Sequence, residues 1–420
     1  MSKNTKPSSS NKKQPAAVVL GVQHITALNT VWSLAQMNLP MIGVTSQPQS
    51  PYARTKKCKM VNCPDVNSDA LIETLIELGK SFDEKAVLFP CSDAQVGVVS
   101  EKRDLLAPYY HFHLPSQEVV RTLMYKANFA NYAQTNGYPI PRTAVIDRAT
   151  NPKACLSEWK FPCLLKPDNK TANWTQHTRG TKVLRIRNED QLLKTIDQVL
   201  QWVDRLVIQE WIPGGDSNVY FCLMYFDDSS EPRATFVGRK IRQWLPEIGS
   251  TASAERHFNS TVLEESLRLF KAVRYKGLGS VEFKLDPEDR RFKITEPTVG
   301  RPNLQSYVAV ANGINIPYVA YCNLIGKSVT LLDQPDRDVA VKWVNEWREY
   351  HSALFYLQQG RLSLKDWIRS LRGPRTYALF SLSDPLPFLL TLTRLSYKEM
   401  RKFLLSFVRL VFRAIKPRRW

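Results

Sequence analysis

The feature that most constrains this chain is a pair of alternating apolar–polar runs, "SVEFKLD" and "FKITE", separated by the polar segment Pro287-Glu288-Asp289-Arg290-Arg291. Period-two alternation interrupted by turn residues reads as a β-hairpin. Centred on Asp289, that hairpin sets Glu282 opposite Glu296 on one face of the sheet. Like charges directly opposite destabilise a strand pair. At about 5 Å and an effective dielectric near 20 the repulsion is roughly 3 kcal/mol. A fold that keeps this pair needs positive charge beside it. Lys284 on the same face is one source; a Mg2+ ion shared between carboxylates and substrate phosphates is a better one. The plain alternative is a surface hairpin with a diagonal salt bridge.

Composition narrows the classes. An apolar content of 43% is that of a globular chain with a real core, and 420 residues suggest about two or three domains. The seven cysteines form no CxxC pair and the six histidines no ligand-spaced cluster, which argues for reduced thiols in a cytosolic protein and against a zinc site. The net charge of +19 sits at the ends. The first fourteen residues contribute +4 and residues 361–420 contribute +11, leaving +4 for residues 15–360. A balanced body with basic ends, and no recognised binding motif, argues against a nucleic-acid-binding protein despite the pI of 9.6. Residues 1–14 read as a disordered basic tail. The apolar run AAVVLGV after them is too short for a signal-peptide core and reads as a first strand. No apolar run approaches a membrane span.

Along the chain, AAVVLGV, a helical stretch from Ala27 to Met37 and the strand LPMIGVTS form a βαβ start. KAVLFPCSD is a further strand ending at Asp93. Open parallel sheets bind ligands beyond their strand C-termini, which makes Gly21, His24 and Asp93 rim residues. From residue 116 the pattern changes to helices alternating with antiparallel strand pairs. One helix runs through SQEVVRTLMYKANFANYAQTNG, "FPCLLKPDN" is a strand delivering Lys166, and "VIQEWIPGGDSNVYFCLMYFD" is strand, turn and strand. Lysines neutralise phosphate as compact cations. The backbone of 209–212 can pair with a base, and an acid beyond it, Asp216, can take ribose hydroxyls.

Read together in order, "MYKANFANYAQTNGYPIPRT", "FPCLLKP", "VIQEWIPGGD", "GSVEFKLDP" and "ITEPTVGRPN" resemble the ATP-grasp carboxylate–amine ligases, of the D-alanine–D-alanine ligase, biotin carboxylase and carbamoyl phosphate synthetase type, over about residues 15–325. The resemblance implies a mixed α/β and α+β chain with an N-terminal Rossmann-like pre-ATP-grasp domain at 15–115 and a two-lobed ATP-grasp domain at 116–325, to which composition and pattern add the basic tail at 1–14 and a helical basic extension at 326–420. It implies ATP and Mg2+ as cofactors, two ions, with Mn2+ as a substitute. Lys126, Lys166 and Lys182 would bind phosphates. Gln209, Glu210, Trp211 and Ile212 would bracket adenine, and Asp216 would hold the ribose. Glu282, Glu296 and Thr298 would surround the metal, and Arg301, with Lys166, would serve the reacting phosphate. Three departures stand out. Thr298 replaces the family's usual Asn, so water or Asn303 would complete the metal shell. Arg301 lies five rather than four residues after Glu296. The loop "NKTANWTQHTRGTK" has the single glycine Gly180, flanked by Arg179, with Lys182 two residues on.

The implied reaction joins a small-molecule carboxylate to an amine through an acyl phosphate. His24, Asp93, Arg239, Lys240, Arg242 and Asn303 are candidates for gripping substrate, the three in "GRKIRQW" having a basic strand edge as their plain alternative. The C-terminal stretch, residues 388–420, groups Arg394, Lys398, Arg401, Lys402, Arg409, Arg413 and Lys416 on one side of a helix. This pattern suits an anionic membrane interface, hence a cytoplasmic enzyme peripheral to the inner face of the membrane, acting on an envelope precursor or an amino-acid-type substrate. The alternatives are an ATP-binding membrane-peripheral protein without activity and, less favoured, a nucleic-acid binder.

Overall fold

The computed structural model describes residues 14–155, 159–169, 171–178, 181–331 and 340–394. The expectations placed on residues 1–13, Arg179, Gly180 and residues 395–420 lie outside them.

Three sheets organise the described residues. The first is parallel, with strands β1 (Ala17–Leu20), β2 (Met41–Thr45), β3 (Lys59–Asn62), β4 (Ala86–Phe89) and β5 (Tyr110–His111) in the order β3-β2-β1-β4-β5. β1 is buried along its whole length because helices cover both faces. β4 stops at Phe89, short of the expected Asp93. Ser92 caps the next helix, Asp93–Glu101, by accepting from the backbone N–H of Gln95.

The second sheet has four antiparallel strands, β6 (Thr143–Asp147), β7 (Cys163–Pro167), β8 (Leu184–Ile186) and β9 (Arg205–Glu210), in the order β6-β9-β7-β8. The amphipathic helix Glu189–Val199 closes its core through Leu192, Ile196 and Val199, which pack with Leu165, Leu206 and Ile208. The third and largest sheet runs β14 (Phe292–Val299), β13 (Gly277–Leu285), β10 (Val219–Phe226), β11 (Pro232–Trp244), β12 (Ser250–Arg256), β15 (Lys342–Val344) and β16 (Arg375–Tyr377). Its central strand β10, VYFCLMYF, is buried on both faces. Tyr220, Cys222, Met224 and Phe226 face a core shared with the helix Ser260–Ala272, while Phe221, Leu223 and Tyr225 face one shared with the helix Ile316–Leu324. β9 and β10, adjacent in sequence, thus belong to different sheets, and the segment Trp211–Asn218 crosses between them.

Two expectations need correction. The helix read through residues 116–137 is two helices, Gln117–Met124 and Lys126–Thr135, broken at the extended residue Tyr125. The extension expected to be helical supplies β15 and β16 as well as helices, and is part of the body. Ser253 and Ala254 of β12 pair with Val344 and Trp343, and Trp343 is fully buried. Three-residue strands are too short for period-two alternation to register in sequence, and the edge of a large sheet gains hydrogen bonds by pairing with them.

Candidate functional site

The hairpin of β13 and β14 pairs Glu282 with Glu296. Near the turn the register sets Phe283 against Ile294 and Lys284 against Lys293; beyond it, Glu282 meets Glu296. Thr295 is the extra residue of a bulge. Without that bulge Glu282 would oppose Thr295, and Glu296 would turn to the other face. The charge that relieves the pair comes from elsewhere than Lys284. Lys126 Nζ lies 3.2 Å from Glu296 Oε1, and Lys240 Nζ lies 2.7 Å from Glu282 Oε2. Lys284 instead sits over the Trp211 ring, 4.9 Å from its centroid.

Lys166 reaches the same space from the end of β7 and donates to Gln209 Oε1 on β9 at 2.7 Å. Burial pulls its pKa down to about 8. Burial opposes ionisation of Lys126 as well, yet Glu296 beside it raises its pKa. Burial also disfavours the Glu296 carboxylate, but Lys126, Lys182 and Lys166 together hold its pKa down to about 2. Lys182 is lowered by desolvation. Arg301 donates through Nε to Asp93 Oδ1 at 2.6 Å, joining the first sheet's switch region to the carboxylate hairpin.

These groups line one cleft of about 1630 Å3, open mouth included, between the four- and seven-stranded sheets. It brings together Asp93, Lys126, Lys166, Lys182, Gln209, Glu210, Trp211, Ile212, Lys240, Glu282, Glu296, Thr298, Arg301 and Asn303. Four expected residues lie elsewhere. Asp216 is 5% exposed, and its two oxygens accept from the Gln243 backbone and side chain, the Glu247 backbone and the Tyr356 hydroxyl. A carboxylate so filled has no lone pair left for a ribose. Its work is to hold the β11–β12 connection. Arg239 pairs with Glu255, and Arg242 is buried against Glu349. Bulges around Arg242 separate Lys240 and Gln243, which face the cleft, from Arg242, which does not. His24 is exposed at the start of the helix Ile25–Ala35, away from the cleft lining.

The cleft also contains residues that sequence patterns did not single out: Gln243, Glu247, Thr251 and Gln305. Glu247 joins Arg185 of β8 to Arg361, and holds a left-handed backbone with φ +67°. Such strain in a bulky residue persists where the surroundings over-determine it. Arg185 also stacks on Trp211 at 4.1 Å from the ring centroid. No sequence signal marks Glu247, since a Glu in a polar connection looks like any solvated charge.

Among the described residues no cluster of three or more His, Cys, Asp or Glu is arranged for a metal. The cleft offers two carboxylates on facing strands and the Thr298 hydroxyl, which accepts from Asn303 Nδ2 at 3.4 Å. That sparse oxygen set fits Mg2+, which takes one or two protein carboxylates and fills its shell with water and phosphate oxygens.

No protein-family model matches the chain. A D-aspartate ligase from Enterococcus faecium (strain Aus0004) is 23% identical over 280 residues, 63% of this chain and 66% of that protein, so the match spans just under two thirds of that relative. Among solved structures, the ADP complex of purK, an N5-carboxyaminoimidazole ribonucleotide synthetase, superposes with a TM-score of 0.60 at 13% identity, covering 83% of this chain and 85% of that one. Biotin carboxylase from Campylobacter jejuni, in its β,γ-ATP complex, gives a TM-score of 0.56 at 16% identity, covering 76% and 72%. At these identities the likeness is one of architecture, and the architecture is the ATP-grasp fold of the carboxylate–amine ligases.

Proposed function

We propose that this chain is an ADP-forming ligase that joins a carboxylate to an amine through an acyl phosphate. The observation that carries this reading is the facing pair Glu282 and Glu296 with Lys126 and Lys240 as their counter-ions, in one cleft with Lys166, Lys182 and Arg301. A hairpin with no ligand to hold has no reason to gather two acids and four lysines on one floor. Phosphoryl transfer asks the protein mainly for positioning and charge neutralisation. Mg2+ on Glu282, Glu296 and Thr298 would offset the charge of the nucleotide phosphates; solved neighbours of this fold carry ADP or MgADP. Lys126 and Lys166 would grip those phosphates, and Gln209 to Ile212 would line the base. With Asp216 engaged elsewhere, Glu247, a cleft carboxylate whose two oxygens each take one arginine and keep a lone pair, is the group we place at the ribose. Arg301 would neutralise the transferred phosphate from its place beside Asp93. Those opposite charges suit an amino acid, whose ammonium and carboxylate would part the pair. The D-aspartate ligase relative puts acidic amino acids first in a screen.

The test is ADP release from Mg-ATP with a panel of D- and L-amino acids as acid and amine. Turnover is expected with at least one pair. Glu296→Gln should lower it by about a hundredfold or more; a variant that turns over normally would remove the metal assignment. The membrane reading of residues 388–420 belongs to the same proposal, with anionic lipid as the surface. Among the described residues no helix is long and apolar enough to cross a membrane.

A further inference from the structure

Lys126 occupies an awkward place. It is the first residue of the helix Lys126–Thr135, where the backbone dipole is positive and a cation is unfavourable. No acidic residue stands in that helix's first turn, and Tyr125 before it provides no side-chain cap. The free N–H groups are met from another sheet. Asp168, one residue past β7, accepts from the Ala127 N–H through Oδ1 at 2.8 Å, and its backbone carbonyl accepts from the Lys126 N–H at 3.3 Å. Its other oxygen, Oδ2, takes Arg205 Nη2 at 2.5 Å, and its own N–H donates to the Arg205 carbonyl at 3.1 Å. Arg205 reaches further, to Asn128 Oδ1 at 3.4 Å, on the same helix turn. Asp168 is 7% exposed and is not among the residues lining the cleft.

We propose that Asp168, clamped by Arg205, is a positioning residue that locks the helix start bearing Lys126 to the strand end bearing Lys166, so that the two ammonium groups present a fixed pair to one polyphosphate. The inference rests on the nucleotide-binding reading of those lysines. It follows from connectivity. Lys166 lies two residues before Asp168 across Pro167, whose ring stiffens the backbone, and Lys126 begins on the amides that Asp168 caps. A carboxylate at the helix start also offsets the dipole that Lys126 opposes. Removing the clamp lets the helix start fray without removing either lysine.

The experiment is a double-mutant cycle on the full chain, with Mg-ADP affinity measured by calorimetry and the thermal transition recorded in parallel. Asp168→Ala should weaken Mg-ADP binding about tenfold or more, and Asp168→Asn, which keeps an acceptor for the Ala127 N–H, should recover most of it. Lys126→Ala should weaken binding too, and the double variant should bind no worse than Lys126→Ala alone, because Asp168 acts through Lys126. Normal affinity in Asp168→Ala overturns the proposal, as does a loss that adds in full to that of Lys126→Ala, which a merely loosened fold would give. If Lys126→Ala binds Mg-ADP normally, the reading of Lys126 fails and the clamp falls with it. If Asp168→Ala does not fold, Arg205→Met, which leaves the helix capped, carries the same cycle with a smaller expected loss.

Discussion

Lys166 ends β7 against Gln209, and burial holds its pKa at about 8. That has a measurable consequence. At pH 8.5 part of the free protein carries the neutral amine. A bound phosphate favours the ammonium and raises its pKa, so nucleotide binding takes up a proton. At pH 6.5 the lysine is already charged and nothing is taken up. Titration with Mg-ADP in two buffers of different ionisation enthalpy should therefore show proton uptake at pH 8.5 and none at pH 6.5, and Lys166→Met should abolish it. Equal uptake in that variant would assign the proton to another group. At this scale the sequence was legible where a charged residue ends an apolar strand, as Lys166 does. It misled at Asp216, which looks like a turn acid but serves Gln243, Glu247 and Tyr356 as a buried acceptor.

At the scale of elements, bulges decide which side chains reach the cleft. The pairing of Glu282 with Glu296 was legible from alternation, although the register near the turn is offset by one and the Thr295 bulge restores it. In β11 the irregularity around Arg242 reverses faces. Lys240 and Gln243 look into the cleft, while Arg242 meets Glu349 of the helix Glu346–Gln358. The sequence offers Arg239, Lys240 and Arg242 together as a basic cluster, and period-two reasoning cannot see the inserted residues that send only Lys240 into the cleft. The Arg242–Glu349 pair is almost fully buried, and Glu349 also accepts from Ser253 and Trp367. Arg242→Met should cost about 3–5 kcal/mol of stability by stranding that carboxylate, read as a lowered midpoint in urea. Arg242→Met with Glu349→Leu should recover part of the loss. A single variant as stable as the parent would show that the pair carries no weight.

At the scale of the whole molecule, residues 340–394 tie the parallel sheet to the largest one. Asp384 is 1% exposed and accepts from the Trp32 indole, the Thr55 hydroxyl and the Lys56 backbone. Asn29 binds the Ala378 carbonyl, and Trp343 donates to Asn29. A chain ended at Val339 loses all of these contacts together with β15 and β16, and should not give a cooperative thermal transition. A chain ended after Arg394 keeps them. It should melt as the parent does and retain the ligase turnover proposed for the parent, while losing co-sedimentation with anionic liposomes. Equal sedimentation of the two would end the membrane reading.

The sequence by itself determined the βαβ start, the hairpin and its facing acids, because alternation and turn residues are local and survive in one dimension, while Lys182 and Arg301 were set beside those acids only by the resemblance of the ordered motifs to a known family. Only the tertiary structure decided which cations neutralise which acid, that the C-terminal region completes the largest sheet, and that Asp168 caps a helix from another sheet. Those outcomes rest on bulges and on contacts between residues far apart in sequence, such as Asp384 with Trp32, which no local pattern encodes.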